Sequence, residues 1–165
     1  IINQLSGLKK IIPEDLRYCL KKDKDSIFIN FKRYYADFPN PQFPQFSKNI
    51  QKRAYWGGTV SFLNLQLAYY MGFKEVYLIG MDLNYKVPNY AEGNTITSRE
   101  DDINHFHPAY FGPGKRWHLP EVDRMVTAFE KAKEAFEEDG RKIINAGIGG
   151  NLSTFSRVDF INLFK

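Results

Sequence analysis

Gly57-Gly-Thr-Val-Ser-Phe-Leu-Asn-Leu-Gln-Leu-Ala-Tyr-Tyr-Met-Gly-Phe-Lys-Glu-Val-Tyr-Leu-Ile-Gly-Met-Asp82 is the stretch that decides the fold class. From Val60 to Met71 only Ser61, Asn64 and Gln66 are polar. A helix so apolar must be covered on most sides, which places it against a sheet. Thr59 is its N-cap, worth about 1 kcal/mol, and Gly72 supplies a left-handed stop. Glu75 to Ile79 then reads as a buried parallel strand closed by Gly80. Helix, glycine, short link and strand make half of a βαβ unit.

The pattern extends in both directions. Downstream, Pro120 opens a second helix with Glu121 and Asp123 in its first turn, and Gly140 ends it. Val122, Met125, Val126, Phe129, Ala132 and Phe136 share one face at helical spacing. Residues 141–145 form another strand, followed by the glycine-rich Gly147–Gly150 and a tail of turn plus short helix over 152–164. Upstream, Ser26 to Phe31 is a strand, preceded by a short helix from Pro13 to about Leu20 and a polar turn from Lys21 to Asp25. Residues 32–56, with Pro39, Pro41 and Pro44 among aromatics, read as irregular chain. Strands near 26–31, 75–79 and 141–145 alternate with helices. The expected fold is α/β, a Rossmann-like parallel sheet with helices on both faces. Three strands are few for that class. Either another strand lies in the irregular segments, or the N-terminal strand and its phosphate loop are missing; the second is the favoured expectation. Residues 1–165 are then one α/β domain, the C-terminal part of a longer transferase domain.

Bulk properties narrow the function classes. Hydrophobic residues make up 43% of the 165 and charged residues 25%, an ordinary globular balance that excludes disorder. The net charge of +4 is spread out, and its densest spots are the pairs Lys9-Lys10, Lys21-Lys22 and Lys52-Arg53. A nucleic-acid binder concentrates its charge in a stripe, so nucleic acid is not an expected partner. Cys19 is the single cysteine, which excludes an internal disulfide and a thiolate zinc cluster. No apolar run approaches the roughly 20 residues that span a bilayer. A cytoplasmic setting is the expectation, with peripheral membrane association left open.

Chemistry is expected beyond the carboxyl ends of the strands. The connection from Gly80 to Pro120 far exceeds the usual handful of residues. It holds all three histidines, His105, His107 and His118, with Tyr110, Lys115, Arg116 and Trp117. Asp82, ending its strand, can orient a ligand hydroxyl or a catalytic histidine; its plainer reading is a turn cap. His105 and His107 point the same way if the chain is extended. They suit acid–base work, a zinc site with His118 or Asp82, or structural hydrogen bonding. Gly57, Gly58 and Thr59 at a helix start offer amides to an anion. Lys115, Arg116 and Trp117 could clamp a phosphate and stack a ring, or form a solvated loop. Asp23-Lys-Asp25, placed before a strand, is a solvated turn.

Together these residues resemble a known group. Trp56 to Val60, Leu67 to Asp82, Asn104-His-Phe-His-Pro108 and Tyr110-Phe-Gly112 look like a bacterial family described as 6-hydroxymethylpterin diphosphokinase-like, often found with polysaccharide or flagellin glycosylation. Arg141 to Asn145, Gly149-Gly150 and Val158-Asp159 continue the match, which runs from about residue 55 to 164. More distantly, the order is similar to bacterial α-2,3/2,8-sialyltransferases, which use a CMP-sugar donor without a metal and a histidine as base. This resemblance implies that Gly58 and Thr59 meet the donor; Gly57, from the helix-start reading, joins the expected substrate contacts. Asp82, Asn84 and Tyr85 would line its pocket, and His105 or His107 would be the base. Tyr110, Arg116 and Trp117 complete the expected substrate contacts. Two departures stand out: no Gly-x-Gly-Pro-Ser-type loop precedes Ile1, and the acidic, histidine-rich metal–phosphate motif of the pterin diphosphokinases proper is missing.

The expected activity is transfer of a sugar from a nucleotide-sugar donor, CMP-linked, to a surface-glycan or protein acceptor. No permanently bound cofactor or metal is expected. The rival readings are an ATP- and magnesium-dependent pterin diphosphokinase and a non-catalytic nucleotide-binding domain.

Overall fold

Short β-branched runs and one long apolar helix organise the chain, as seen in a computed structural model that describes residues 4–20, 22–91 and 93–164. Lys21, the first residue of the expected polar turn, lies outside the described residues. Strand β1 (Lys10–Pro13) runs through a 3-10 helix (Glu14–Cys19) to β2 (Ser26–Ile29), which lies parallel to it with Lys10 opposite Ser26. Past Asn30 the same chain continues as β3 (Phe31–Lys32), which pairs in parallel with β4 (Ala54–Tyr55). Ile29, Phe31, Ile50 and Ala54 are buried between these strands, with Ile11, Trp56, Leu63 and Leu67 packed on them. β4 is hidden in the segment that reads as irregular, and β1 lies in the stretch leading into Pro13, where the sequence suggests only the start of a helix. They have two and four residues, too few to show an alternating pattern.

Helix α1 (Val60–Tyr70) begins at Thr59, whose Oγ1 accepts the Ser61 N–H at 3.3 Å, and Gly72 follows at φ 86°. Being apolar all round, it serves two cores. Leu63 and Leu67 face the β1–β4 cluster. Phe62, Leu65 and Tyr69 face a second cluster built on α2 (Val122–Glu137). Ala128, Phe129, Ala132 and Phe136 of α2 are completely buried there, on the face that the spacing predicts. Gly57 permits this approach: a Cβ there would lie 2.3 Å from Phe62 Cδ1 and 2.9 Å from Ala128 Cβ.

Strand β5 (Glu75–Leu78) lies parallel to β8 (Lys142–Asn145), and β8 to β9 (Ser156–Arg157), giving the order β5-β8-β9. A 3-10 helix (Phe160–Phe164) ends the tail. β5 is not the buried strand that its composition predicts. It bonds β8 along one edge only, and Glu75, Tyr77 and Ile79 are exposed. Nor do the described residues form one continuous Rossmann-like sheet. The parallel strands fall into separate patches, and a side chain shows why. The outer edge of β4 is taken by the fully buried amide of Gln66. Its Oε1 accepts the Tyr55 N–H at 3.0 Å and its Nε2 donates to the Tyr55 carbonyl at 2.8 Å. Gln66 thus fills the place of a neighbouring strand. The fold shown is mixed α/β with small parallel sheets and few helices.

The long connection after β5 is also more structured than its length suggests. It contains an antiparallel pair, β6 (Thr95–Thr97) with β7 (Arg116–His118), in which Ile96 faces Trp117. No helix among the described residues is long and apolar enough to cross a membrane.

Candidate active-site cleft

The N-terminal end of α1 opens into a cleft of about 660 Å³ whose lining includes Gly58, Thr59, Tyr85, His118, Glu121 and Arg124. Gly58 sits at φ 84°, and a Cβ on it would come within 3.1 Å of Arg124 Cγ. A glycine is therefore needed for both its conformation and its closeness to Arg124. The Arg124 guanidinium donates to Glu121 Oε2 at 2.8 Å and lies 4.8 Å from the centre of the Phe43 ring. This cation is held in place beside the first turn of α1, where the helix dipole also favours an anion.

Strand alternation selects which side chains of β7 meet the cleft. Trp117 points away, donating from Nε1 to Ser98 Oγ at 3.0 Å and stacking with Phe111. His118 faces the cleft, with Nδ1 held 3.0 Å from Thr95 Oγ1. That contact leaves Nε2 as the nitrogen for exchange with a ligand.

The segment after β5 closes the opposite wall. Gly150 packs on Asp82 so tightly that a Cβ would lie 2.5 Å from the Asp82 Cα, and Asn151 N–H donates to the Asp82 carbonyl at 2.6 Å. Leu83 then adopts φ 51° with its side chain buried, a strained conformation for a leucine. This turn delivers Tyr85 to the cleft. Burial pushes the Tyr85 phenol up from its ordinary range, and the Asp82 charge adds to the effect. Asp82 therefore stands close enough to act on the cleft's wall electrostatically.

The two histidines singled out by the His-Phe-His pattern lie elsewhere. His105 Nδ1 is 2.7 Å from Asp102 Oδ2, and its ring stacks on Tyr110 at 4.5 Å. The Asp102 side chain is only 4% exposed. Burial acts to raise its pKa, but the N–H groups of Asn104 and Phe111 and the His105 ring outweigh that and hold it below the usual value. His107 Nδ1 accepts the Ala109 N–H at 3.1 Å, a local turn contact. Neither ring lines the cleft, although Asn104 ties their loop to Lys86, next to Tyr85, by two hydrogen bonds of 2.7 and 2.9 Å. Asn84, Tyr110, Arg116 and Trp117 also lie off the cleft lining. Gly57 is buried behind it against Phe62.

The structure thus brings together Gly58, Thr59 and Tyr85 from the expected set, with Asp82 alongside. It adds His118, Glu121 and Arg124. Their signal was positional: they flank Pro120, the start of the second helix. The zinc arrangement of His105 and His107 with His118 or Asp82 is not formed. Among the described residues no three His, Cys, Asp or Glu side chains gather as a metal site.

The fold and cleft define an α/β protein with a polar cleft at a helix start, lined by the Arg124–Glu121 ion pair. Residues 16–88 match the family model described as MptE-like, 6-hydroxymethylpterin diphosphokinase MptE-like. The expected resemblance to the pterin diphosphokinase-like family is thereby shown for that stretch, which shares residues 55–88 with the one read from the sequence. It carries Gly58, Thr59, Asp82 and Tyr85 and stops short of every histidine. Nothing in the match speaks for the sialyltransferase likeness. Comparison with curated proteins and with solved structures gave no match.

Proposed function

We propose that the cleft binds a phosphate-bearing, nucleotide-activated donor and that the chain is a transferase of the glycosyl-transferring kind. One observation carries this reading: the α1 N-terminus, the fixed Arg124 cation and the exposed His118 imidazole line the same cleft. Amides at Gly58–Thr59 and the Arg124 guanidinium receive the donor phosphate, where they stabilise charge developing on the leaving nucleotide. His118 Nε2 takes the proton of an acceptor hydroxyl. The freed oxygen bonds to the donor's sugar carbon, the bond from that carbon to the phosphate oxygen breaks, and the nucleotide departs with the electron pair. His118 replaces His105 and His107 in the role of base, because it is the imidazole on the cleft. A CMP-linked donor and a surface-glycan or protein acceptor remain the expected substrates.

The family description favours a second reading, phosphoryl or diphosphoryl transfer to a pterin. Thermal unfolding of the full chain with CMP, CMP-sialic acid, ATP with magnesium, or a pterin separates the two. A bound ligand at 100 times its dissociation constant adds about 2.7 kcal/mol of stability. Stabilisation by CMP compounds that is lost in Arg124→Gln supports the first reading. Stabilisation by ATP with magnesium and the pterin alone supports the second, and no response to any of the four contradicts both.

A further inference from the structure

Arg124 and Glu121 reach the cleft as a pair. Among the described residues on its lining they are the one arginine or lysine and the one carboxylate. They meet at 2.8 Å. The two side chains are held differently. Arg124 is 19% exposed, packed against Gly58 and set over the Phe43 ring. Glu121 is 59% exposed, at the N-cap of α2. Its carboxylate can turn toward water, yet the residue belongs to the cleft wall and its charge stays near Arg124. Asp82 adds a negative charge behind Tyr85, where it opposes ionisation of the phenol. The lining therefore carries one guanidinium matched by one carboxylate, with Asp82 close by. Such a cleft accommodates one negative charge on a ligand and resists a second.

We propose that Glu121 is a specificity-determining residue, which makes the cleft favour ligands with a singly charged phosphodiester over phosphomonoesters and nucleoside polyphosphates. The proposal rests on the reading of the cleft as the donor site, and it narrows the substrate class to sugars joined through one phosphate. A phosphodiester has one ionisable proton and so carries one negative charge, whereas a monoester carries about 1.5 to 2 at neutral pH. The guanidinium donors that Glu121 does not use can receive one such group. Each further negative charge has no cation of its own on the lining and meets the Glu121 carboxylate. Glu121 is more than half exposed, so the repulsion is modest. For an exposed pair of charges it amounts to about threefold in affinity per added charge. The same rule bears on turnover. Transfer leaves the nucleotide as a monoester, which the cleft then holds less tightly than the donor it came from.

The test is calorimetric titration of the full chain at low salt with CMP, the methyl ester of its phosphate, and CDP. These share a base and a sugar and differ in phosphate charge. Glu121→Gln is expected to tighten CMP about threefold more than it tightens the methyl ester, and CDP more again. Glu121→Asp keeps the charge on a shorter side chain and should keep the parent's order of affinities. An equal gain for all of these ligands, or no gain, overturns the proposal and leaves the donor reading standing. Weaker binding of every ligand to Glu121→Gln also overturns it, since Glu121 would then be a direct ligand contact. So does a Glu121→Asp chain that behaves like Glu121→Gln, because side-chain shape rather than charge would set the preference. Binding of none of these ligands by the parent or by Glu121→Gln overturns both the proposal and the reading beneath it.

Discussion

Gln66 sits in the middle of a run of leucines, yet its side chain is fully buried and makes four hydrogen bonds, to the Tyr55 N–H and carbonyl, the Ser47 N–H and the Phe62 carbonyl. Replacing it by Leu leaves buried backbone groups without partners, so Gln66→Leu is expected to cost about 3 kcal/mol in urea unfolding. A loss below about 1 kcal/mol would mean that water or a rearranged strand takes over the edge of β4. Asp23 illustrates a different residue-level effect. The Lys10 ammonium, helped by Ser26 Oγ and the Asp25 N–H, lowers its carboxyl to about 2. An unfolded-chain carboxyl titrates near ~3.9. The folded form therefore binds the proton less readily, and Asp23 contributes stability above about pH 4 that is lost as pH falls towards 2. Acid unfolding of Asp23→Asn and of the parent chain should differ at pH 5 and converge near the folded-state value; a constant gap down to that pH would contradict it. Among the catalytic candidates, residue identity does not say which imidazole lines the cleft: the Asp102 carboxylate holds His105 and a turn amide engages His107 away from it, while His118 lines it.

At the scale of elements, α1 was readable almost to the residue. The Thr59 cap, the apolar run and the Gly72 stop each have a local physical cause that the sequence displays. The same holds for α2 and for Gly140 at φ 66°. β4 and β9 were not legible, because two residues cannot show a period, and β1 was masked by Pro13, which reads as the start of a helix. The alternation that turns His118 and Trp117 to opposite sides belongs to a strand of three residues, visible only once β6 pairs with it. The edge position of β5 was hidden for another reason. Glu75-Val-Tyr-Leu reads as a buried strand, but distant chain decides which edges are paired: β8 takes one side of β5, and in the other patch the Gln66 amide from α1 takes the outer edge of β4. Two substitutions probe the start of α1 separately. Thr59→Ala removes the cap and should cost about 1 kcal/mol. Gly57→Ala drives a methyl into Phe62 and Ala128, an overpacking that should cost about 1–3 kcal/mol and displace the cleft wall with it. Urea unfolding gives both values, and a Gly57→Ala chain as stable as the parent would contradict the tight α1–α2 approach.

For the whole molecule, α1 is the wall shared by two apolar clusters, one under β1–β4 and one around α2 and β8. The cleft forms where that wall begins, and the connection from β5 to α2 supplies its other side. Both the amide end of the helix and the histidine thus depend on long-range placement rather than on any local motif. This is why the α/β class could be read from residues 57–82 while the set of side chains that line the cleft could not. The central claim is that a phosphate-bearing ligand enters between the α1 N-terminus and His118. It is tested most directly by following the histidine ring resonances of the full chain by NMR as CMP is added. The His118 signals should shift on binding while those of His105 and His107 stay in place, and Arg124→Gln should weaken the response. Movement of the His105 or His107 signals with His118 unmoved, or no movement of any of the three, would contradict it.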